Sequence, residues 1–201
     1  VGSEGTLSLV HRAKMRMEPS PPAKAVMVVH FTDIVDAIRA SETILPLEPA
    51  AIELLDDMIL DLARSSLALS REIGFIEGRP GAVLIVEFYG TGETDLYRKL
   101  EGLEAALRKE GLGYAYPNAM DPAMQARIWK IRKAGLGLLL GMKGERKPIA
   151  FVEDCAVRPV QLPEFFKRFR SVVDRYDTSA GYYGHASVGC LHIRPLINTK
   201  K

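Results

Sequence analysis

The chain has 201 residues, of which 47% are hydrophobic and 26% charged, a composition typical of a globular protein with one sizeable core. Its 27 Lys and Arg residues against 25 Asp and Glu give a net charge of +2, too balanced to predict a nucleic-acid partner. The two cysteines, Cys155 and Cys190, exclude a disulfide scaffold and a CxxC metal knuckle and favour a reducing compartment. The longest apolar run, residues 134–142, is about half of a membrane span. We therefore expect a cytoplasmic protein.

The first 24 residues have the pattern of a strand followed by a linker. The opening VGSEGTLSLVHRAKMRM lacks an initial Met and a signal-peptide pattern, so we interpret the chain as a fragment of a longer protein. Leu7, Leu9, Met15 and Met17 fall on alternate positions, which predicts a strand over residues 7–17. The proline-rich EPSPPAK that follows predicts a domain boundary, with domains at 1–22 and 23–201.

After the linker, strand-like and helix-like patterns alternate. Runs of β-prone residues predict strands at 24–31, 78–90, 112–119 and 149–157. Apolar stripes at helical spacing predict helices at 33–44, 46–69, 93–111, 122–140 and 162–177. Thr32 or Asp33 is the expected N-cap of the first of these helices, and Asp121 that of the helix at 122–140. The order predicts an α+β, ferredoxin-like sandwich with a largely antiparallel sheet and helices on one face.

Two of the four histidines, His185 and His192, lie seven residues apart in GYYGHASVGCLHIRP, residues 181–195. If residues 182–186 and 190–194 pair across the turn, the two imidazoles lie about 5 Å apart, close enough to share a divalent metal or one substrate group. Two histidines leave a metal shell incomplete, so a carboxylate would have to come from elsewhere. The alternative is that they are structural strand residues, and spacing alone leaves both interpretations open.

Three further residues are candidates for a binding or catalytic site. Arg132 follows Trp129 by three positions on one helical face, so it either binds a carboxylate bidentately or is a solvated surface arginine. Tyr183, like its neighbour Tyr182, either donates a hydrogen bond to a substrate oxyanion or is an ordinary strand aromatic. Cys190 has no charged neighbour in sequence that would lower its thiol pKa, which favours a small buried residue over a nucleophile.

The glycine-rich GSEGT, residues 2–6, is the remaining candidate for ligand binding. Its small residues would let backbone N–H groups approach an anion, and the hydroxyls of Ser3 and Thr6 would add donors. It lacks both common phosphate-loop patterns, so a plain turn before a strand is the alternative.

Taken together, these stretches resemble the C-terminal part of the FAD-linked oxidases and dehydrogenases that act on 2-hydroxy acids, the family of glycolate oxidase, D-lactate dehydrogenase and D-2-hydroxyglutarate dehydrogenase. VGSEGTLSLVHRAKMRMEPSP resembles the GSEGTLGIVTEATLRLxPxP that closes the family's flavin-binding domain, and YGHASVGCLHIRP resembles GHAGDGNLH. The stretches AAIELLD, IWKIRKA and KPIAFVEDCAVRPVQLPEFF also resemble family segments. The resemblance covers nearly the whole chain.

The resemblance implies a role for each candidate. Residues 1–22 would end a flavin-binding domain, and the rest would be the substrate domain that closes over the flavin. The residues that would face the FAD diphosphate are Gly2, Ser3, Glu4, Gly5 and Thr6. His185 and His192 would be the catalytic pair and would hold zinc or another divalent metal. Arg132 would bind the substrate carboxylate, with Tyr183 and Cys190 beside it.

The implied reaction is oxidation of a small 2-hydroxy acid by hydride transfer to FAD. Val188 and Cys190 stand where the motif has Asp and Asn. The resemblance implies that these two positions affect substrate preference and metal retention. The family's S-G-E-H-G-D-G motif, source of a third metal ligand, would lie beyond Lys201, so the chain alone is expected to be inactive.

The pattern is most similar to bacterial members that carry an iron–sulfur region outside the part matched here. An electron acceptor protein or a quinone would then be a partner, and the enzyme would be cytoplasmic or peripheral to the inner membrane. The alternative is a non-catalytic ferredoxin-like module for ligand binding or assembly.

Overall fold

The computed structural model describes residues 5–17 and 19–200, and of residues 153 and 154 only the backbone. The eight strands described are β1 (Ala23–Phe31), β2 (Ala51–Asp56), β3 (Ala82–Gly90), β4 (Asn118–Ala119), β5 (Lys147–Pro148), β6 (Val152–Ala156), β7 (Ala180–His185) and β8 (Cys190–Ile197). The five helices described are α1 (Ile34–Ile44), α2 (Asp57–Ser65), α3 (Glu93–Lys109), α4 (Pro122–Leu140) and α5 (Leu162–Arg175).

The strands form one antiparallel sheet in the order β4-β1-β3-β2-β7-β8-β5, with β6 also paired to β8. The first four strands take the order β4-β1-β3-β2, with α1 after β1 and α3 after β3, which is the ferredoxin-like arrangement. The hairpin β7-β8 extends this unit beyond β2. The predicted α+β class and largely antiparallel sheet are therefore confirmed.

Helices cover both faces of the sheet. Side chains alternate along a strand, so Met27 and Val29 of β1 join the core beneath α1, α3 and α5. Val26 and Val28 join a second core beneath α2 and α4. The expectation of helices on one face only is therefore incomplete, because α2 and α4 supply a second apolar layer that the ferredoxin-like pattern does not contain.

The predicted helix at 46–69 is wrong over its first half. Residues 51–56 form β2, which lies between β3 and β7, and the helix begins only at Asp57. In β2, Ile52 and Leu54 face one core and Leu55 the other. The apolar run AIELL suits a strand buried on both faces as well as it suits a helical stripe, and pairing with two neighbouring strands decides for the strand.

The strand predicted for residues 7–17 is absent from the described part of the chain, where these residues form no regular element. The side chains of Leu7 and Leu9 are 85% and 89% exposed, and those of Met15 and Met17 are similarly exposed. The physical reason is that a strand needs a hydrogen-bonding partner, and none of the eight described strands pairs with this segment.

Asp56 occupies the junction between β2 and α2 and is 2% exposed. Its carboxylate oxygens accept hydrogen bonds from the backbone N–H of Ile59 at 3.0 Å and of Tyr182 at 2.6 Å, so it caps α2 and ties β2 to β7. Burial raises the pKa of Asp56 from 3.8 to about 7, while the two hydrogen bonds oppose that rise.

We expect stability to depend on pH through Asp56. Because its pKa is higher in the folded state, the folded state retains a proton that the unfolded state releases between about pH 4 and pH 7. The free energy of unfolding should therefore decrease as pH rises through this window, by about 1 kcal/mol per pH unit. Urea unfolding at several pH values, with Asp56→Asn as the non-titrating reference, measures this. Equal slopes for both proteins would contradict the assignment.

Candidate functional site

Polar side chains from β2, β7, β8 and α4 meet on the sheet face that α2 and α4 cover. Glu53 of β2 lies directly opposite His185 of β7, and Tyr183 of β7 lies directly opposite His192 of β8. Directly opposite residues in antiparallel strands project from the same face, so the register brings these four side chains together. Arg132 reaches them from α4.

Glu53 lies at the centre of this cluster and is only 8% exposed, which is unusual for a charged side chain. Its Oε2 atom accepts from Nε of Arg132 at 2.7 Å and from a terminal guanidinium nitrogen at 2.6 Å. Its Oε1 atom lies 2.7 Å from Nδ1 of His185. A buried carboxylate needs such partners to offset its loss of hydration. The single carboxylate thus connects the arginine and the histidine that the sequence singles out.

The two histidines meet at their outer nitrogens. Nε2 of His185 and Nε2 of His192 are 3.4 Å apart, and the ring planes are nearly perpendicular at 84°. The predicted proximity of the two imidazoles is therefore confirmed. The side chain of His185 is 44% exposed, so the pair is accessible from solvent on one side.

Tyr183 forms the floor of the cluster and is 4% exposed. The guanidinium carbons of Arg132 and Arg194 lie 5.3 Å and 5.7 Å from the centroid of its ring, within cation–π range. Arg194 also donates a hydrogen bond to the Tyr183 hydroxyl at 3.0 Å. Burial lowers the pKa of Arg194, yet a guanidinium remains charged at neutral pH.

The other predicted site residues have different surroundings. Cys190 begins β8 directly opposite His185 and is partly buried, so the register places it on the face of the histidine pair. Gly5 and Thr6 are exposed, and Gly5 has a left-handed backbone with φ of 80°. Gly2, Ser3 and Glu4 lie outside the described residues.

Glu53 and Arg194 belong to the cluster but were not among the predicted site residues. The signal for Glu53 was a single carboxylate inside the apolar run AIELL, a residue type that is seldom buried without a partner. The signal for Arg194 was its position two residues after His192 on the same strand, which places it on the same face.

Within residues 5–17 and 19–200, no group of three or more His, Cys, Asp and Glu side chains is arranged to hold a metal ion. Among the helices of the same residues, none combines the length and apolarity needed to cross a bilayer.

Proteins of related sequence are 2-hydroxy-acid dehydrogenases and oxidases by name. D-2-hydroxyglutarate dehydrogenase of Pseudomonas putida is 30% identical over 99% of this chain, and that of Escherichia coli is 29% identical over 98%. The glycolate oxidase subunit GlcD of Bacillus subtilis is 29% identical over 96% of the chain and 39% of its own length. The chain spans 20% of the length of the D-2-hydroxyglutarate dehydrogenases that it matches.

Solved structures share the fold at lower identity. An alkyldihydroxyacetonephosphate synthase superposes with a TM-score of 0.63 at 17% identity, over 100% of this chain and 40% of that protein. The substrate complex of p-cresol methylhydroxylase gives 0.63 at 12% identity, over 91% of this chain and 40% of that protein.

A family model described as the C-terminal domain of FAD linked oxidases matches residues 20–201, which include all of the helices and strands described above. The chain therefore belongs to the family of FAD linked oxidase C-terminal domains.

Proposed function

We propose that this chain is the substrate-binding domain of an FAD-dependent oxidoreductase that oxidises a small 2-hydroxy acid to the 2-oxo acid. The observation that carries the proposal is the single cluster in which Arg132 and the pair His185 and His192 meet around Glu53. A guanidinium suits a carboxylate, and an imidazole suits the proton of a neighbouring hydroxyl, so the cluster matches the two functional groups of a 2-hydroxy acid.

In this proposal, Arg132 binds the substrate carboxylate through the guanidinium edge that Glu53 does not occupy. The substrate hydroxyl then points to the Nε2 atoms of the histidine pair, and one of these nitrogens takes the hydroxyl proton. Tyr183 supports Arg132 from below and excludes water from that side. Bound FAD would supply the acceptor for the hydride of the α-carbon, and oxidation to the 2-oxo acid would then be complete.

We further propose that the histidine pair would supply two of the ligands of a divalent metal. Two imidazole nitrogens bound to one tetrahedral zinc at about 2.0–2.1 Å lie about 3.3 Å apart, and the two Nε2 atoms here are 3.4 Å apart. Glu53 on Nδ1 of His185 has the position of the carboxylate that commonly orients a metal-binding histidine. Such a metal would polarise the substrate hydroxyl and favour loss of its proton.

We also propose that residues 5–17 contact the flavin-binding domain of the parent protein, the partner expected from the domain boundary at residue 22. Support comes from Leu7, Leu9, Met15 and Met17, which are 80–89% exposed in the part of the chain described. Apolar side chains at alternate positions suit a strand that completes the sheet of another domain. Gly5 and Thr6 precede this segment and would then approach the FAD diphosphate.

The reaction is tested by flavin reduction in the parent protein. A panel of D- and L-2-hydroxy acids is mixed anaerobically with the flavoprotein, and bleaching of the oxidised flavin is followed. We expect at least one acid to reduce the flavin, and His185→Ala and His192→Ala to slow that reduction by about 100-fold or more, because proton transfer contributes about 10²–10⁴-fold. Metal analysis of the same samples tests the histidine pair as a metal site.

Lys130→Met on the exposed side of α4 is the control, since Lys130 pairs with Glu72 away from the cluster. Flavin content and unfolding midpoints of all variants show whether a slow variant is merely misfolded. A flavoprotein that no acid in the panel reduces would overturn the proposed reaction. Histidine variants as fast as wild type would favour the non-catalytic alternative for this site.

A further inference from the structure

We propose that Glu53 is a positioning residue that holds His185 in the tautomer with its proton on Nδ1, and so presents an unprotonated Nε2 to the substrate side. The inference rests on the proposed function and names a residue that acts through His185 rather than on the substrate. Glu53 is buried, and its Oε1 atom lies 2.7 Å from Nδ1 of His185.

The chemistry of the two groups sets the direction of this hydrogen bond. An ionised carboxylate can only accept, so Nδ1 of His185 must be the donor. In a neutral imidazole the second nitrogen then has a lone pair and no proton. That nitrogen is Nε2, the atom that faces His192 at 3.4 Å. His185 is therefore prepared to take a proton or to bind a metal at Nε2.

Arg132 holds the Glu53 carboxylate from the side opposite His185. Two guanidinium nitrogens bind the other carboxylate oxygen, Oε2, at 2.6 Å and 2.7 Å. The carboxylate is thus held at both oxygens, by Arg132 at Oε2 and by His185 at Oε1, and the two contacts together set its orientation. Oε1 is then held toward β7, where the register places His185 directly opposite Glu53.

A purely structural ion pair would need Arg132 and Glu53 but not the histidine. Because Oε1 contacts His185, the tautomer of this histidine also depends on Glu53. Replacing Glu53 by glutamine tests that dependence separately from the ion pair with Arg132. In Glu53→Gln the amide oxygen can still accept from Arg132, while the amide NH₂ faces Nδ1 of His185 and can only donate. Nδ1 then becomes an acceptor and the proton moves to Nε2. The arginine keeps its partner and the histidine changes tautomer.

The test reads the tautomer of His185 directly. Imidazole ¹⁵N and ¹H NMR shifts at pH 8.5 are compared for wild type and Glu53→Gln. We expect the wild type to carry its proton on Nδ1 and Glu53→Gln to carry it on Nε2. Glu87→Gln is the matched control, since Glu87 is also a buried strand glutamate but pairs with Ala51, two residues before Glu53 on β2. It should leave the tautomer unchanged.

Kinetics on the flavin-carrying protein add a second measurement. We expect Glu53→Gln to lower kcat by about 10–100-fold, as loss of an orienting carboxylate does at comparable sites, with KM unchanged because Arg132 stays in place. A wild-type proton on Nε2, or an unchanged tautomer in Glu53→Gln, overturns the proposal. The tautomer is read without turnover, so an inert flavin beside the expected tautomers would reject the proposed reaction and leave the role of Glu53 standing.

Discussion

Replacing Arg132 by methionine is expected to lower the free energy of unfolding by about 3–5 kcal/mol at pH 8, because it leaves a buried carboxylate without its cation. Glu53 is 8% exposed, and both of its contacts with Arg132 involve Oε2. Methionine fills a similar volume, so the loss measures the charge rather than a cavity. Urea unfolding of the variant against wild type gives the value.

The control for this prediction is Lys130→Met on the same helix. Lys130 and Glu72 form an ion pair of 2.7 Å, as short as the contact of Nε of Arg132 with Glu53. The side chain of Lys130 is 53% exposed, against 11% for Arg132. Exposed pairs contribute about 0–1 kcal/mol, so Lys130→Met should have little effect. Equal losses for the two variants would show that burial does not decide the cost.

The starts of α1 and α4 were the part of the fold that local sequence predicted well. Asp33 accepts from the N–H of Val35 at 2.6 Å, and Asp121 accepts from the N–H of Met124 at 2.9 Å, as expected for N-caps. Helices α1 and α4 begin at the next residue in each case. Capping depends on groups within three residues of each other, so it can be inferred without knowing the tertiary structure.

The error at residues 46–69 arises because long-range contacts, which local sequence does not reveal, decide the structure there. The pattern Ile52, Leu55, Ile59 has helical spacing, but it runs across the boundary between β2 and α2. Asp56 is the N-cap at that boundary, with its side chain on the N–H of Ile59. The apolar spacing across residues 46–69 contains nothing that marks Asp56 as the end of a strand. Its pairing across to Tyr182, 126 positions away, is what distinguishes a strand end from a helix interior.

The candidate site also has a local part that the sequence predicts and a long-range part that it does not. His185 and His192 are joined by a short hairpin, so their proximity could be predicted from the turn between them. Glu53 is 79 positions from Arg132 and 132 from His185, and only the order of β2, β7 and β8 brings it between them. A buried carboxylate in a strand signals that a partner exists but not which one. Long-range pairing of this kind cannot be read from one sequence.

Gly189→Ala is the second substitution with a large expected effect, a loss of about 3 kcal/mol or more in the free energy of unfolding. Gly189 lies in the turn between His185 and His192 with φ of +69°, where a side chain costs about 1–2 kcal/mol. An added Cβ would also overlap the carbonyl oxygen of Val157 and approach N of Pro159 to 3.1 Å. These are backbone atoms, so neither can rotate away, and the hairpin must shift.

A further variant separates the cost of the left-handed backbone at Gly189 from the cost of the overlap with Val157. Asn tolerates a left-handed backbone better than Ala, so Gly189→Asn should recover stability if φ alone matters, and should be as costly as Ala if the overlap with Val157 dominates. Gly137→Ala is the control in the exposed part of α4, where an added Cβ meets nothing within 4 Å and should raise stability by about 1 kcal/mol. Because Val157 donates its N–H to the carbonyl of Gly189 at 3.0 Å, we expect the overlap to dominate. A shifted hairpin would also separate the two histidines, so stability and flavin reduction should fall together in both Gly189 variants.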